Sequence, residues 1–237
     1  MESLLLPRLT PPVAPVRERR TVTAQAGDVT SFLLSTGSTG FLVMSQTSNK
    51  ATRSQKDIRL AGRRTRASLA PGYRESASWT IAEKVCRSHW FARARRIACY
   101  IPVGDEVDTW PIIARAWQMK KRVFVPVVQE NMSMKFREIS AESDLQRSSF
   151  ALYEPLSGEF SSIDKLGIVV TPLVAFDENM NRVGMGGGCF DRTFAMLKHR
   201  NSYLHPKLVG VAFACQKVEE ISANAWDIPL FQVVTER

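Results

Sequence analysis

The sequence lacks the features of a membrane protein and of a zinc-binding protein. No apolar run approaches the roughly 18 residues that indicate a membrane-spanning helix. The longest apolar stretches, such as residues 166–176, have the length of a β-strand. The four cysteines and three histidines are scattered and show no paired ligand spacing. We therefore expect a soluble, cytoplasmic protein with reduced thiols and no membrane partner.

The net charge of +9 does not by itself indicate a nucleic-acid-binding protein. Basic residues crowd between Lys56 and Arg66, and such a segment fits a polyphosphate ligand as well as it fits DNA or RNA. Neither an RNA-binding motif with interleaved aromatic residues nor a zinc finger accompanies it. We expect no nucleic-acid partner, and a nucleic-acid-binding module built on residues 56–66 is kept as the alternative.

Residues 1–54 differ in composition from the rest of the 237-residue chain. They are first proline-rich and basic, then rich in Ser, Thr and Gly, without a sustained helical or strand period. This composition predicts a disordered extension before one domain at residues 55–237. The ordered regions of a secretory signal are absent. An organelle transit peptide remains open, and so does a start codon placed too far upstream, with Met44 as the true start.

From Lys56 onward, helical patterns alternate with apolar strands. The predicted strands are residues 95–103, 122–128, 166–176 and 207–215. The predicted helices are residues 56–70, 73–91, 108–121 and 191–200. Strands that are apolar throughout and alternate with helices predict a three-layer α/β/α domain with a mostly parallel sheet. Ligands of such domains bind at the carboxyl ends of the strands.

The segment RVGMGGGCFDRT, residues 182–193, places four glycines within five positions. It matches neither a Walker loop nor a Rossmann fingerprint. The glycines precede a predicted helix that starts near Cys189, and helix starts attract phosphate. Arg182 can donate two hydrogen bonds to phosphate. Asp191 could bind a Mg²⁺ ion that lies between its carboxylate and the phosphate. The alternative is a tight strand-to-helix turn with Asp191 as an ordinary first-turn acid.

Residues 171–193, TPLVAFDENMNRVGMGGGCFDRT, resemble the signature of the 5-formyltetrahydrofolate cyclo-ligase family, also called 5,10-methenyltetrahydrofolate synthetases. Further segments resemble this family in the same order: YIPVGDEVDTWPII, KRVFVPVV, YEP and the C-terminal VGVAFACQKVEEISANAWDIPLFQVVTE. The resemblance runs from about residue 55 to residue 236. A fold relative that acts on sugar phosphates or coenzyme A is a further alternative, because a fold alone does not determine function.

The resemblance implies an enzyme that uses ATP and Mg²⁺ to convert 5-formyltetrahydrofolate to 5,10-methenyltetrahydrofolate, releasing ADP and phosphate. In this reaction the formyl oxygen attacks the γ-phosphate, N10 closes on the activated carbon, and phosphate leaves. Side chains then act mainly by positioning and by charge neutralisation. The resemblance also implies a monomer or a weak homodimer.

The resemblance assigns roles to individual residues. The ATP-binding residues would be Gln55, Lys56, Arg59, Arg182, Val183, Gly184, Met185, Gly186, Gly187, Gly188, Cys189 and Phe190. The folate-binding residues would be Ile101, Glu106, Met185, Gly186, Gly187, Gly188 and Cys189, with Glu106 accepting N–H groups of the pterin. Asp191 and Asp227 would hold Mg²⁺, and Arg182 and Asp191 would be catalytic.

The chain departs from the family pattern at three positions. Gln55 occupies the first basic position, with Lys56 one step late, and Cys189 and Phe190 replace the usual pair of tyrosines. These replacements remove hydroxyl groups but keep one aromatic ring. Trp110, close to Glu106 in sequence, is an additional candidate for the pterin pocket.

Overall fold

The computed structural model describes residues 54–148, 150, 152–199 and 206–237. All of these residues belong to one compact unit. The predictions made for the extension before residue 54 lie outside the described residues, as does the end of the helix predicted at residues 191–200. Within the described ranges, no helix is both long enough and apolar enough to cross a membrane.

The helices follow the predicted order. They are α1 (Gln55–Ala67), α2 (Pro71–Arg87), α3 (His89–Arg93), α4 (Trp110–Gln118) and α5 (Cys189–Phe194). The helix predicted at residues 73–91 is divided at Ser88, whose hydroxyl accepts a hydrogen bond from the Phe91 N–H at 3.2 Å and so caps α3. The helix predicted at residues 191–200 is shorter, because α5 gives way to a 3₁₀ turn at Ala195–His199.

The strands form one large sheet and two small ones. They are β1 (Arg96–Ala98), β2 (Arg122–Val128), β3 (Met134–Ile139), β4 (Leu145–Arg147), β5 (Tyr153–Pro155), β6 (Phe160–Ser161), β7 (Ile168–Pro172), β8 (Ala175–Phe176), β9 (Arg182–Val183), β10 (Lys207–Val211) and β11 (Gln232–Val234). The large sheet has the order β11-β10-β7-β1-β2-β3-β6. Its first five strands are parallel to one another, β3 is antiparallel to β2, and β6 is antiparallel to β3. The prediction of a mostly parallel sheet is confirmed.

Alternate residues of the parallel strands pack on opposite faces of the sheet, as the period of two requires. One face carries Ile97, Val123, Ile168 and Val209, which pack against α2, α3 and α4. The other face carries Ala98, Phe124, Val169 and Leu208, which pack against α5 and the C-terminal segment around Leu230. The sheet therefore has a core on each face, which agrees with the three predicted layers.

The strand predicted at residues 166–176 is divided into β7 and β8. The second part pairs with β9 as a small antiparallel hairpin. Asp177 is fully buried in its turn and accepts hydrogen bonds from the N–H and the side-chain amide of Asn181, at 2.9 and 3.0 Å. Asp177 also accepts the Ile221 N–H at 3.0 Å, which joins the hairpin to the C-terminal segment. This hairpin directs the chain from the sheet into the glycine loop, residues 184–188.

Candidate active site

A cavity of about 300 Å³ lies at the carboxyl ends of three parallel strands. The residues that follow or end β1, β2 and β7 form one wall, and the glycine loop forms another. Of the residues named from the sequence, the cavity is lined by Gln55, Arg59, Ile101, Glu106, Arg182, Gly184, Met185, Gly186, Gly187, Gly188, Cys189, Phe190, Asp191 and Asp227. Its position is the one expected for a ligand site on a parallel sheet.

Two of the residues to which the resemblance assigned roles are not among those that line this cavity. Lys56 is exposed on α1, one position away from Gln55. Val183 is buried in a small apolar cluster with Ile58, Ala175 and Ile221. Val183 therefore supports the loop from behind, and its side chain packs away from the cavity.

A wider cleft of about 630 Å³ lies at the opposite edge of the sheet, before β1, β7 and β10. Its polar lining is mainly basic and includes Arg93, Arg95 and Lys165, with Asp164 as the only carboxylate among the described lining residues. It contains neither the glycine loop nor a pair of acids. The smaller cavity is therefore the one that contains the glycine loop and the acids named from the sequence.

The glycine loop combines left-handed backbone with open space. Gly186 and Gly188 have φ values of 110° and 65°, which favour glycine. Gly184 does not have a left-handed φ, and a Cβ atom there would meet nothing within 4 Å. Gly186 and Gly188 are therefore required by the conformation of the turn. Gly184 is not required by it, and its lack of a side chain leaves the backbone there accessible. Because α5 has only six residues, the loop amides matter more for an anion than the helix dipole does.

Arg59 lies against the glycine loop. Its Nε donates a hydrogen bond to the Gly184 carbonyl at 2.7 Å. Gly186 is close as well, since a Cβ atom there would be 3.6 Å from the same nitrogen. The described residues offer no acceptor to the two terminal nitrogens of Arg59, so these donors are available to an anion in the cavity.

Arg182 is buried and its hydrogen bonds are made within the protein. Nη2 donates to Oδ1 of Asp191 at 2.7 Å, and Nη1 donates to the Ile228 carbonyl. The guanidinium carbon is also 5.8 Å from the centre of the Phe190 ring. Arg182 therefore does not present a free pair of N–H groups to phosphate, because Nη2 already bonds Asp191 and Nη1 already bonds the Ile228 carbonyl.

Asp191 and Asp227 each keep one oxygen without a partner among the described residues. Oδ1 of Asp191 accepts from Arg182 and from the Ile228 N–H at 3.1 Å, which leaves Oδ2. Oδ2 of Asp227 accepts from Gln55 at 3.2 Å and from the Asn224 N–H at 2.8 Å, which leaves Oδ1. No group of three or more His, Cys, Asp or Glu suited to a metal occurs in the described ranges. Two carboxylates fit Mg²⁺, which takes its remaining ligands from phosphates and water.

Glu106 lines the same cavity, as does the buried Ile101. Its Oε2 accepts a hydrogen bond from the Val103 N–H at 3.1 Å. Burial raises the pKa of the Glu106 carboxyl, and the Val103 N–H and the positive charge of Arg66 oppose this rise. Burial thus disfavours the charged form of Glu106. Such a shift is expected for a buried acid whose hydrogen-bond partners are supplied by a ligand.

Trp226 is a cavity residue that the sequence reasoning missed. Its side chain is 67% exposed, and it lines the cavity next to Asp227. Trp110, the aromatic candidate named from the sequence, is not among the described lining residues and packs against the main core instead. The segment WDIPL was a possible signal, because it places an aromatic ring beside a proposed metal ligand.

Cys189 and Phe190 have ordinary structural environments. Burial raises the pKa of the Cys189 thiol, so the residue lacks the lowered pKa of a reactive cysteine. The Phe190 ring stacks on Phe194 with 6.0 Å between the ring centres. The aromatic packing expected at position 190 is present without the hydroxyl group.

Comparison with known proteins identifies the family. Residues 50–236 match the model of the 5-formyltetrahydrofolate cyclo-ligase family. The chain belongs to this family. The 5-formyltetrahydrofolate cyclo-ligase of Haemophilus influenzae is 30% identical over 187 residues, which are 77% of this chain and 98% of that relative. The protein of the same name from Escherichia coli is 32% identical over 177 residues, 73% of this chain and 95% of the relative.

A solved structure supports the same relationship. The NMR structure of 5,10-methenyltetrahydrofolate synthetase from Aquifex aeolicus aligns with a TM-score of 0.66 and 28% sequence identity. The alignment covers 77% of this chain and 90% of the Aquifex protein. The fold and the motifs of this cyclo-ligase family member therefore agree with each other.

Proposed function

We propose that this cyclo-ligase family enzyme converts 5-formyltetrahydrofolate to 5,10-methenyltetrahydrofolate in an ATP- and Mg²⁺-dependent reaction that releases ADP and phosphate. The observation that carries the proposal is one cavity lined by two chemically different sets of residues. The glycine loop, Arg59 and two acids would form a nucleotide end, and Glu106 with apolar side chains would form a folate end. Membership of the family supports the folate conversion.

The nucleotide end suits a triphosphate. Loop backbone at Gly184 would provide donors for phosphate oxygens, as would the terminal nitrogens of Arg59, which have no acceptor among the described residues. Asp191, oriented by Arg182, would hold Mg²⁺ together with Asp227, and the bound ion would neutralise phosphate charge. Gln55 donates a hydrogen bond to Asp227 and would help to orient this metal ligand. A basic residue at this position would instead contact the phosphates directly.

The folate end suits a flat heterocycle with N–H donors. Glu106 can accept two such hydrogen bonds from the pterin edge, while Ile101 and Leu173 provide apolar contact surface. Trp226 at the cavity lining offers an aromatic face for a planar ring. Glu106 would thus fix the orientation of the pterin relative to the phosphates.

The reaction requires positioning more than covalent catalysis. The formyl oxygen attacks the γ-phosphorus and ADP leaves, which gives a phosphorylated formyl group. N10 then bonds to the activated carbon, N10 loses its proton, and phosphate leaves. The cavity residues would hold the two substrates in line and exclude water, so that the activated group is not hydrolysed.

The basic segment of α1 is less suited to nucleic acid than its composition suggests. Arg59 faces the glycine loop, and Arg66 is buried against Asp105. Both side chains therefore make contacts within the folded domain. This favours the enzyme over the nucleic-acid-binding alternative.

An absorbance assay for the methenyl product, with 5-formyltetrahydrofolate and MgATP, tests the proposal. We expect product only when both ATP and Mg²⁺ are present. Asp191→Asn should abolish turnover in folded protein, with a lowered melting temperature because the buried Arg182 loses its charged partner. Asp164→Asn, in the cleft at the opposite sheet edge, should remain active. Absence of product with the wild-type protein would reject the function, and full activity of Asp191→Asn would remove Asp191 from the site.

A further inference from the structure

Arg66 and Asp105 form an ion pair beside the candidate active site. Arg66 belongs to the last turn of α1 and is 4% exposed. Its Nη2 donates to Oδ1 of Asp105 at 2.7 Å. Burying charges is costly, and replacement by apolar residues often stabilises a protein, so stability alone is a weak explanation for such a pair.

The Arg66 guanidinium lies between the end of β7 and the turn that follows β1. Nη1 is 3.5 Å from the Leu173 carbonyl, and Leu173 lines the cavity. Nε is buried without a hydrogen-bond partner among the described residues. The guanidinium is therefore held mainly by Asp105, although one of its own donors is left unsatisfied.

Asp105 is the neighbour of Glu106 in a tight turn. Gly104 has a left-handed φ of 67°, and the Glu106 N–H is 3.4 Å from the Val103 carbonyl. The Glu106 side chain closes the same turn by accepting the Val103 N–H. Asp105 is thus tied to α1, while Glu106, the next residue, lines the cavity.

We propose that Arg66 and Asp105 are positioning residues, whose ion pair fixes the turn at residues 103–106 so that Glu106 faces the folate end of the cavity as a carboxylate. This inference rests on the proposed function, because it assumes that Glu106 binds folate. Arg66 acts through Glu106 and needs no contact with the substrate.

The charges around Glu106 support an electrostatic part of this role. Arg66 approaches from α1 and lowers the pKa of Glu106, whereas burial and the neighbouring Asp105 raise it. Tyr100, after β1, has a pKa raised by its own burial and carries no charge near neutral pH. Arg59 on α1 and Arg182 on β9 line the same cavity. Loss of Arg66 should therefore raise the pKa of Glu106. When the pH is lowered, the variant should then lose folate binding at a higher pH than the wild type does.

The test measures the dissociation constants of 5-formyltetrahydrofolate and of MgATP as a function of pH. Arg66→Met should weaken folate binding by roughly tenfold, as for loss of a hydrogen bond involving a charged group. It should also move the pH midpoint of folate binding upward and change ATP affinity less than about threefold. Arg66→Lys should restore the midpoint, because it restores the positive charge. Arg63→Met, an exposed position on the same helix, is the matched control and should behave as wild type.

Two further variants keep the inference falsifiable. In a Glu106→Gln background, Arg66→Met should add little further loss of folate affinity, because the two residues act through one contact. Asp105→Ala breaks the same pair and is measured if Arg66→Met does not fold. Wild-type folate affinity in folded variants of both residues, or equal losses for folate and ATP, would overturn the inference. Failure of the wild-type protein to bind folate would instead reject the proposed function.

Discussion

Glu106 combines a cost to folding with a proposed benefit to binding. Burial raises the pKa of its carboxyl above the usual value. The Glu106 carboxyl therefore loses its proton at a lower pH in the unfolded chain than in the folded protein. As the pH rises from the unfolded-state pKa to the folded-state pKa of Glu106, the free energy of unfolding falls. The charged carboxylate is therefore less favourable in the folded protein than in the unfolded chain. An acid needed for ligand binding explains such an arrangement.

Glu106→Gln should separate these two effects. We expect folate binding to weaken by about 1.5–3 kcal/mol, the range for hydrogen bonds to charged groups. The affinity for ATP, measured without folate, should barely change. The melting temperature at neutral pH should be equal to or above that of the wild type, because the buried charge is removed. Equal losses for both ligands, or a lower melting temperature, would indicate a structural role.

Alanine substitutions in the glycine loop should also distinguish effects on stability from effects on nucleotide binding. Gly188→Ala forces a side chain into a left-handed backbone and should destabilise the protein by about 1–2 kcal/mol. Gly184→Ala has open space and no left-handed φ, so its melting temperature should match wild type. If phosphate contacts the backbone there, this variant should gain less thermal protection from MgATP. A full MgATP shift in Gly184→Ala would show that the loop glycines serve only the turn.

Among the secondary-structure elements, the β8–β9 hairpin leads directly into the site. It carries Arg182 and leads directly into the glycine loop. The turn is held by Asp177, which accepts three N–H groups with no access to solvent. The position of the loop therefore depends on a buried carboxylate that does not line the cavity.

Asp177→Asn should destabilise the protein by about 1–3 kcal/mol, because an amide group would face N–H donors that then lack an acceptor. Glu178→Gln is the matched control. Glu178 is the next residue, is 77% exposed, and pairs with Lys217 on the surface. Its loss should cost less than about 1 kcal/mol. Chemical denaturation of both variants measures the difference, and similar values for the two would contradict the assignment.

The sequence predicted the elements that have strong hydrophobic patterns and missed those that depend on partners. The parallel strands β2, β7 and β10 are apolar throughout and were predicted. Strand β3, MKFREI, alternates apolar and polar residues at the sheet border, and the two-residue β8, β9 and β6 are too short for any period to be visible. Their formation depends on pairing with distant segments, which no local pattern contains.

The candidate site shows a similar division. Its glycine loop and acids were named from contiguous motifs, and the cavity brings together fourteen of the sixteen residues to which the resemblance assigned roles. The engagement of Arg182 by Asp191 and Ile228 was not foreseen, because it depends on how the C-terminal segment folds back. The role of Arg66 was hidden for the same reason, since its partner Asp105 is 39 positions away.

At the scale of the whole molecule, the described parts of the site come from separate regions of the chain. Helix α1 supplies Gln55 and Arg59, the turn after β1 supplies Glu106, and the C-terminal segment supplies Asp227. The parallel sheet brings them together at the carboxyl ends of its strands. Every described element that reaches the cavity begins at residue 55 or later, and the family match begins at residue 50.

A chain that begins at Met44 should therefore match the full-length protein in melting temperature and in methenyl-product formation. A chain that begins at Leu60 is the control, because it loses Gln55, Arg59 and the buried Ile58, which packs with Ala175 and Val183. That control should be less stable and should gain no thermal protection from MgATP, since the proposed nucleotide end would lack its α1 residues. Thermal melts with and without MgATP, together with the absorbance assay, compare the three proteins. A large loss of stability or activity on removal of residues 1–43 alone would show that the extension contributes to the folded enzyme.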